Sequence, residues 1–139
     1  MKKLSVVLVM SFFLLGFAGC GAKKVDTGNL KEVATHVIGR VTIVLLNGTG
    51  ELKQGQNEFV VQFRDTKGQP IDVGNVQLGS SMSMPSMAPM SGDSEITPAG
   101  QTGTYRVKSN FAMSGAWHFT VSWDGPSGQG STAFNSNVR

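Results

Sequence analysis

Thiols are almost absent from this sequence. Cys20 is the single cysteine of 139 residues, which excludes an internal disulfide and any cysteine-built metal or redox centre. Histidine is nearly as scarce, with only His36 and His118. No HExxH, P-loop or GxSxG elbow is present, and no pair of carboxylates stands out. With so few groups able to move a proton or attack a carbonyl, the expectation is a protein that is not an enzyme. Excess charge is also missing. Twelve basic and nine acidic side chains give a formal +3. Lys2 and Lys3 belong to an N-terminal segment with the look of a cleaved signal, and without them the balance falls to +1. That is no footprint for nucleic acid, and it gives little long-range steering of a charged partner.

Long apolar runs are lacking too, except at the start. MKKLSVVLVMSFFLLGFAGCG has two lysines, an apolar run and a small-residue segment ending at Cys20. This is the layout of a secretory signal, too short and one-sided for a spanning helix. Its FAGC ending resembles a bacterial lipobox, which implies cleavage after residue 19 and lipidation of Cys20. The expected address is extracytoplasmic, with the chain held to the cell membrane or the outer membrane by acyl chains. Residues 20–34 are polar, carry both charges and read as a flexible tether, with a short helix over 28–34 as an alternative. The domain is expected over 35–139.

From His36 onward the chain is rich in period-two alternation. HVIGRVTIVLLN reads as one strand, with Val37, Val41, Ile43 and Leu45 on one face. Ile38, Val44 and Leu46 lie on the other, so both faces are covered for part of its length. NEFVVQFRD turns Phe59, Val61 and Phe63 one way. DTKG reads as a tight hairpin loop. QPIDVGNVQLG is a third strand, interrupted at Gly74, and SEIT a short edge strand. TYRVKSNF, AWHFTVSWD and STAFNSNV complete the set. About seven short strands with frequent Gly/Pro turns indicate an all-β sandwich.

One stretch fits none of this. In SSMSMPSMAPMSGDS, residues 80–94, Met82, Met84, Met87 and Met90 crowd into nine positions without a helical or strand period. Thioethers are neutral and soft and favour Cu(I) among common metals. They need no deprotonation to bind it. Pro85 and Pro89 bias their predecessors toward extended or polyproline conformation. In a polyproline segment Met84, Met87 and Met90 share one edge, with neighbours about 9 Å apart. Three sulfurs on a straight edge cannot reach one ion. A three-sulfur site therefore needs the loop to bend, or a ligand from elsewhere. Met113, in the turn of NFAMSGAW, is the candidate. His118 is a lesser one, because alternation puts it on the polar face, and His36 is lesser still. Two other readings stay open: the loop as a packed flap, and the loop as a docking surface of a non-enzymatic interaction module.

GQNEFVVQFRDTKGQPIDVGNVQLGSSMSMPSMAPM, followed by GTYRVKSNFAMSGAWHFTV, resembles the YtkA-like domain, which is related to FixH proteins. The shared pattern is D-x-x-G-x-P (Asp65, Gly68, Pro70), M-P-x-M (Met84, Pro85, Met87), G-x-Y (Gly103, Tyr105) and M-x-G-x-W (Met113, Gly115, Trp117). The resemblance covers residues 50–125. It implies an immunoglobulin-like β-sandwich in the cell envelope, often lipid-anchored. It further implies a link to copper supply for haem–copper oxidases or to heavy-metal efflux partners, and a meeting of the Met loop with Met113.

Overall fold

A computed structural model describes residues 23–139. The signal segment and Cys20 lie outside the described residues. The all-β sandwich expected from the alternation forms, with eight strands rather than about seven. They are β1 (Lys31–Ile38), β2 (Val41–Asn47), β3 (Gly55–Arg64), β4 (Asn75–Met82), β5 (Met90–Pro98), β6 (Thr104–Phe111), β7 (Gly115–Gly125) and β8 (Gly128–Val138). All pair antiparallel in the order β1-β2-β3-β6-β5-β4-β7-β8.

The extra strand comes from HVIGRVTIVLLN, which is a hairpin and not one strand. Gly39 sits at φ 57° in its two-residue loop, the position a type II′ turn reserves for glycine. The reversal pairs Ile38 with Val41, so these two share a face. Ile38 therefore joins the core and Val37 is left 69% exposed, the opposite of the one-strand expectation. β1 also takes in residues 31–34, which the sequence reading assigns to the tether. In place of a helix over 28–34 there is a turn at Gly28 and Asn29, followed by this strand.

β2 is covered on both faces, as expected. Ile43 and Leu45 enter the main core, while Val44 and Leu46 join Val60 on the outside. Val25 and Leu30 of the N-terminal segment pack over that outer cluster. The main core fills the space between the sheets with Phe59, Val61, Phe63, Val107, Phe111, Trp117, Phe119 and Val121, all essentially without exposure. Edge-to-face rings, such as Phe111 on Phe119 at 5.7 Å, add specificity to that burial.

β5 is not a short edge strand. Met90–Gly92 pair with Met82–Ser80 of β4, and Asp93–Pro98 pair with β6. It crosses from one sheet to the other. Gly92 stands at the crossing, where a Cβ would lie 3.2 Å from Trp117 Cζ3. The two end strands approach each other on the far side, with His36 of β1 stacked on Phe134 of β8 at 3.9 Å. The sandwich is thus nearly closed into a barrel.

Candidate metal centre

The strand directions sort the connections into two ends. At one end lie the turns 39–40, 65–68, 99–103 and 126–127. At the other lie the methionine loop 83–89 and the β6–β7 turn 112–114.

At the first end the work is structural. Asp65 Oδ1 accepts the backbone N–H groups of Lys67 at 2.8 Å and Gln69 at 2.9 Å. Gly68 follows at φ 78°. D-x-x-G-x-P is therefore a self-bonded turn that closes the expected tight hairpin through an antiparallel Arg64–Pro70 bridge, after which the chain crosses to the other sheet. The Tyr105 hydroxyl donates to the Gly74 carbonyl at 2.6 Å. Gly103 packs its backbone where any Cβ would overlap the Ile71 carbonyl.

The methionines gather at the other end. Met82 closes β4, Met90 opens β5, and the two are register partners. Both are half-buried against the main core. Between them, the polyproline expectation is replaced by a turn. The Met87 N–H donates to the Met84 carbonyl at 3.4 Å, and Ser86 sits at φ 63°. Proline second and a positive φ third is the type II pattern, which holds the first and fourth Cα atoms within about 7 Å. Met84 and Met87 are thus drawn together, closer than along a straight edge. Met84 is half-buried and Met87 is 67% exposed.

Met113 comes to this end through its turn. The Trp117 indole N–H donates to the Met113 carbonyl at 2.9 Å, tying the turn to a buried ring. Two residues on, Gly115 takes φ 137°, and a Cβ there would overlap Met82 Cε and sit 3.9 Å from Met82 Sδ. The Met82 thioether therefore lies on the backbone of Gly115, which opens β7 two residues after Met113. Met113 itself is 43% exposed. Gly92 and Gly115 make the room for this contact. The sequence alone does not single out Gly92, since its crowding exists only once two sheets cross.

Neither histidine joins the group. His118 pairs with Ser81 and Asn135 in register and faces outward, with its Nδ1 3.0 Å from Asn135 Oδ1. Ser81 and Met82 are consecutive strand residues, so their side chains point to opposite faces. His36 is on the closing seam, where burial lowers its pKa below 6.5. Among the described residues no group of three or more His, Cys, Asp or Glu could hold a metal. The donors collected at this end are thioethers, a set that suits Cu(I) and repels no neutral partner. Met82 and Met90 are half-buried on the core, Met84 is half-buried in the loop, and Met87 and Met113 are exposed.

The profile of the YtkA-like family matches residues 36–122. This chain belongs to the YtkA-like family. The matched span runs from within β1 into β7 and includes every methionine of the candidate centre. Comparison with curated proteins gave no match. Among solved structures, the filamin domain of Lin-41 is similar at 17% identity, covering 64% of this chain and 81% of that one, with a TM-score of 0.44. Domains 4 and 5 of the S-layer protein SbsC match at 18% identity over 79% of this chain and 51% of theirs, with a TM-score of 0.39. The ZirS C-terminal domain matches at 8% identity over 100% of this chain and 85% of its own, with a TM-score of 0.41.

Proposed function

We propose that this YtkA-like protein is a lipid-anchored envelope protein that takes up Cu(I), or another soft metal ion, at its methionine end. It releases the ion to a copper-handling or efflux partner, and it does no covalent chemistry of its own. The observation that carries this reading is the Met82 thioether lying on the Gly115 backbone, two residues after Met113, with its strand partner Met90 beside it. Thioether ligation is weak and uncharged, which suits transient holding in an oxidising compartment without thiols. The lipobox-like FAGC and the single cysteine support the address.

Anaerobic titration with Cu(I) against a competing chelator tests the proposal. The reading expects binding by the wild-type chain and its loss when Met82, Met84, Met87, Met90 and Met113 all become Leu. Leucine keeps most of the apolar volume, so the fold survives. Unchanged affinity in that variant would sink the metal reading.

A second reading has its own support, the exposure of Met87 and Met113. An exposed Met-rich rim is an adaptable docking surface. It expects the Leu variant to keep its envelope partner in a pull-down, and Met87→Asp or Met113→Asp to lose it, with no effect of metal.

A further inference from the structure

The N-terminal segment does more than connect. Val25 and Leu30 lie on the outer cluster of Val44, Leu46 and Val60. The Val25 carbonyl accepts a bond from Gln101 Nε2 at 2.9 Å. Between them Asp26 Oδ1 accepts the Gly28 N–H at 2.9 Å, and the Leu30 N–H donates to the Thr27 carbonyl at 3.2 Å. Residues 25–30 form a strap with its own turn, pinned at both ends.

Gln101 belongs to the β5–β6 turn, at the end opposite the methionines. β5 measures the separation. It begins at Met90, beside Met82, and ends at Pro98, three residues before Gln101. Its nine residues span about 26 Å. Although β1 starts part-way along the sheet, the strap carries the chain back, so it leaves the domain at the Gln101 end. The described chain begins there with exposed Lys23 and Lys24. Val25 is the fifth residue after Cys20, a reach of at most about 18 Å. A lipid on Cys20 therefore cannot draw level with the methionine pair while the strap is docked. With the strap released the tether runs on to Lys31, and eleven residues extend to about 40 Å.

We propose that the strap orients the domain on the membrane, with the Gln101 end facing the lipid and the methionine end pointing away from it. The inference rests on the lipid anchoring in the proposed function, but not on copper binding. The occupant of the Gln101 end is a bilayer surface. Lys23 and Lys24 stand closest to the anchor and attract anionic headgroups. Arg40 and Lys67 project from the turns at the same end. Asp65, Asp72 and Asp124 are there too; the carboxylates of the first two are engaged by backbone N–H groups, and Asp124 is exposed. The methionine end is left free for a partner approaching from the aqueous side.

The test uses the full lipoprotein purified from membranes and reconstituted, without metal, into phosphatidylethanolamine/phosphatidylglycerol vesicles carrying a headgroup-attached fluorescence quencher. A dye is placed at Lys67→Cys or at Ser83→Cys, while Cys20 is blocked by its lipid. The separation of the ends predicts quenching at position 67 at least about threefold stronger than at position 83. Val25→Asp with Leu30→Asp frees the strap and brings the two positions within about 1.5-fold of each other, given the longer reach. If that pair unfolds the domain by circular dichroism, a flexible insertion of roughly ten Gly/Ser residues between Ala22 and Lys23 lengthens the tether without touching the packing. It is expected to equalise the positions in the same way. Equal quenching in the wild type, stronger quenching at position 83, or a difference that survives the longer tether overturns the orientation. Recovery of the wild-type protein in the soluble fraction overturns the anchoring reading and this inference with it, whereas failure of the copper titration alone leaves it standing.

Discussion

Gly115→Ala examines the contact of Met82 with the backbone that follows Met113. Two effects act at this residue and can be separated. The first is backbone strain. At φ 137° an L-residue sits in a region essentially restricted to glycine, at a cost of about 1–3 kcal/mol. The second is steric. The new Cβ would overlap Met82 Cε, but a methyl at the end of a flexible side chain can turn away, so this share is smaller. It is the share that contacts of this kind show as coupling, on the order of 0.5–1 kcal/mol. Urea denaturation of the wild type, Gly115→Ala, Met82→Ala and the double variant isolates it. The strain persists in the Met82→Ala background and the steric share disappears. The displaced sulfur has a second consequence. On the proposed reading, loss of one thioether from the set should weaken Cu(I) binding on the order of tenfold, equivalent to about 1.4 kcal/mol. Strict additivity of the two substitutions, together with unchanged Cu(I) affinity, would mean that Met82 does not rest on Gly115 in solution. The centre would then lose the contact that defines it.

Other consequences are open to measurement. Trp117→Phe keeps a buried ring but strips the indole N–H from the Met113 carbonyl, and denaturation should show a loss of about 1–3 kcal/mol for the orphaned acceptor and lost packing. Ser86→Gly relieves a positive φ and should stabilise by up to about 1 kcal/mol without changing Cu(I) affinity, whereas Ser86→Val should destabilise by a similar amount. His36 is held below 6.5 by burial, so its contribution to stability is complete above that pH and is lost as pH falls through the lowered value. His36→Phe retains a ring to stack on Phe134 and should flatten the acid limb of a stability–pH profile. Asp65→Ala removes the acceptor of two backbone N–H groups and should cost about 1–2 kcal/mol.

Alternation carried much of the fold. Phe59, Val61 and Phe63 of β3, and Trp117, Phe119 and Val121 of β7, face the core as their period-two pattern requires. The features that escaped the pattern depend on chain reversals. The two-residue loop at Gly39 shifts the inward phase from even to odd positions, but Val37 and Ile38 are both apolar and hide the shift, so HVIGRVTIVLLN reads as one. The M-P-S-M turn is hidden by Ser86. Proline at the second position favours a type II turn, but the third position usually holds Gly or Asn, and a serine there gives no sign of φ 63°. The dual membership of β5 was illegible because it depends on which sheet each half pairs with, a long-range choice. Gly92, a residue without a side chain, stands where β4, β6 and β7 converge, but that crowding exists only in the folded sheets. The strap shows the same limit, since Val25 and Leu30 in a polar stretch look like tether until the outer cluster they cover is known.

X-ray absorption at the copper edge of the Cu(I)-loaded protein reads the donor set itself. The proposed function expects a first shell of sulfur alone, supplied by the methionines at the β4–β5 and β6–β7 end, with no imidazole scattering and no change in His118→Ala. A shell containing imidazole nitrogen, or one that is unaltered in the variant with Met82, Met84, Met87, Met90 and Met113 replaced by Leu, would contradict it.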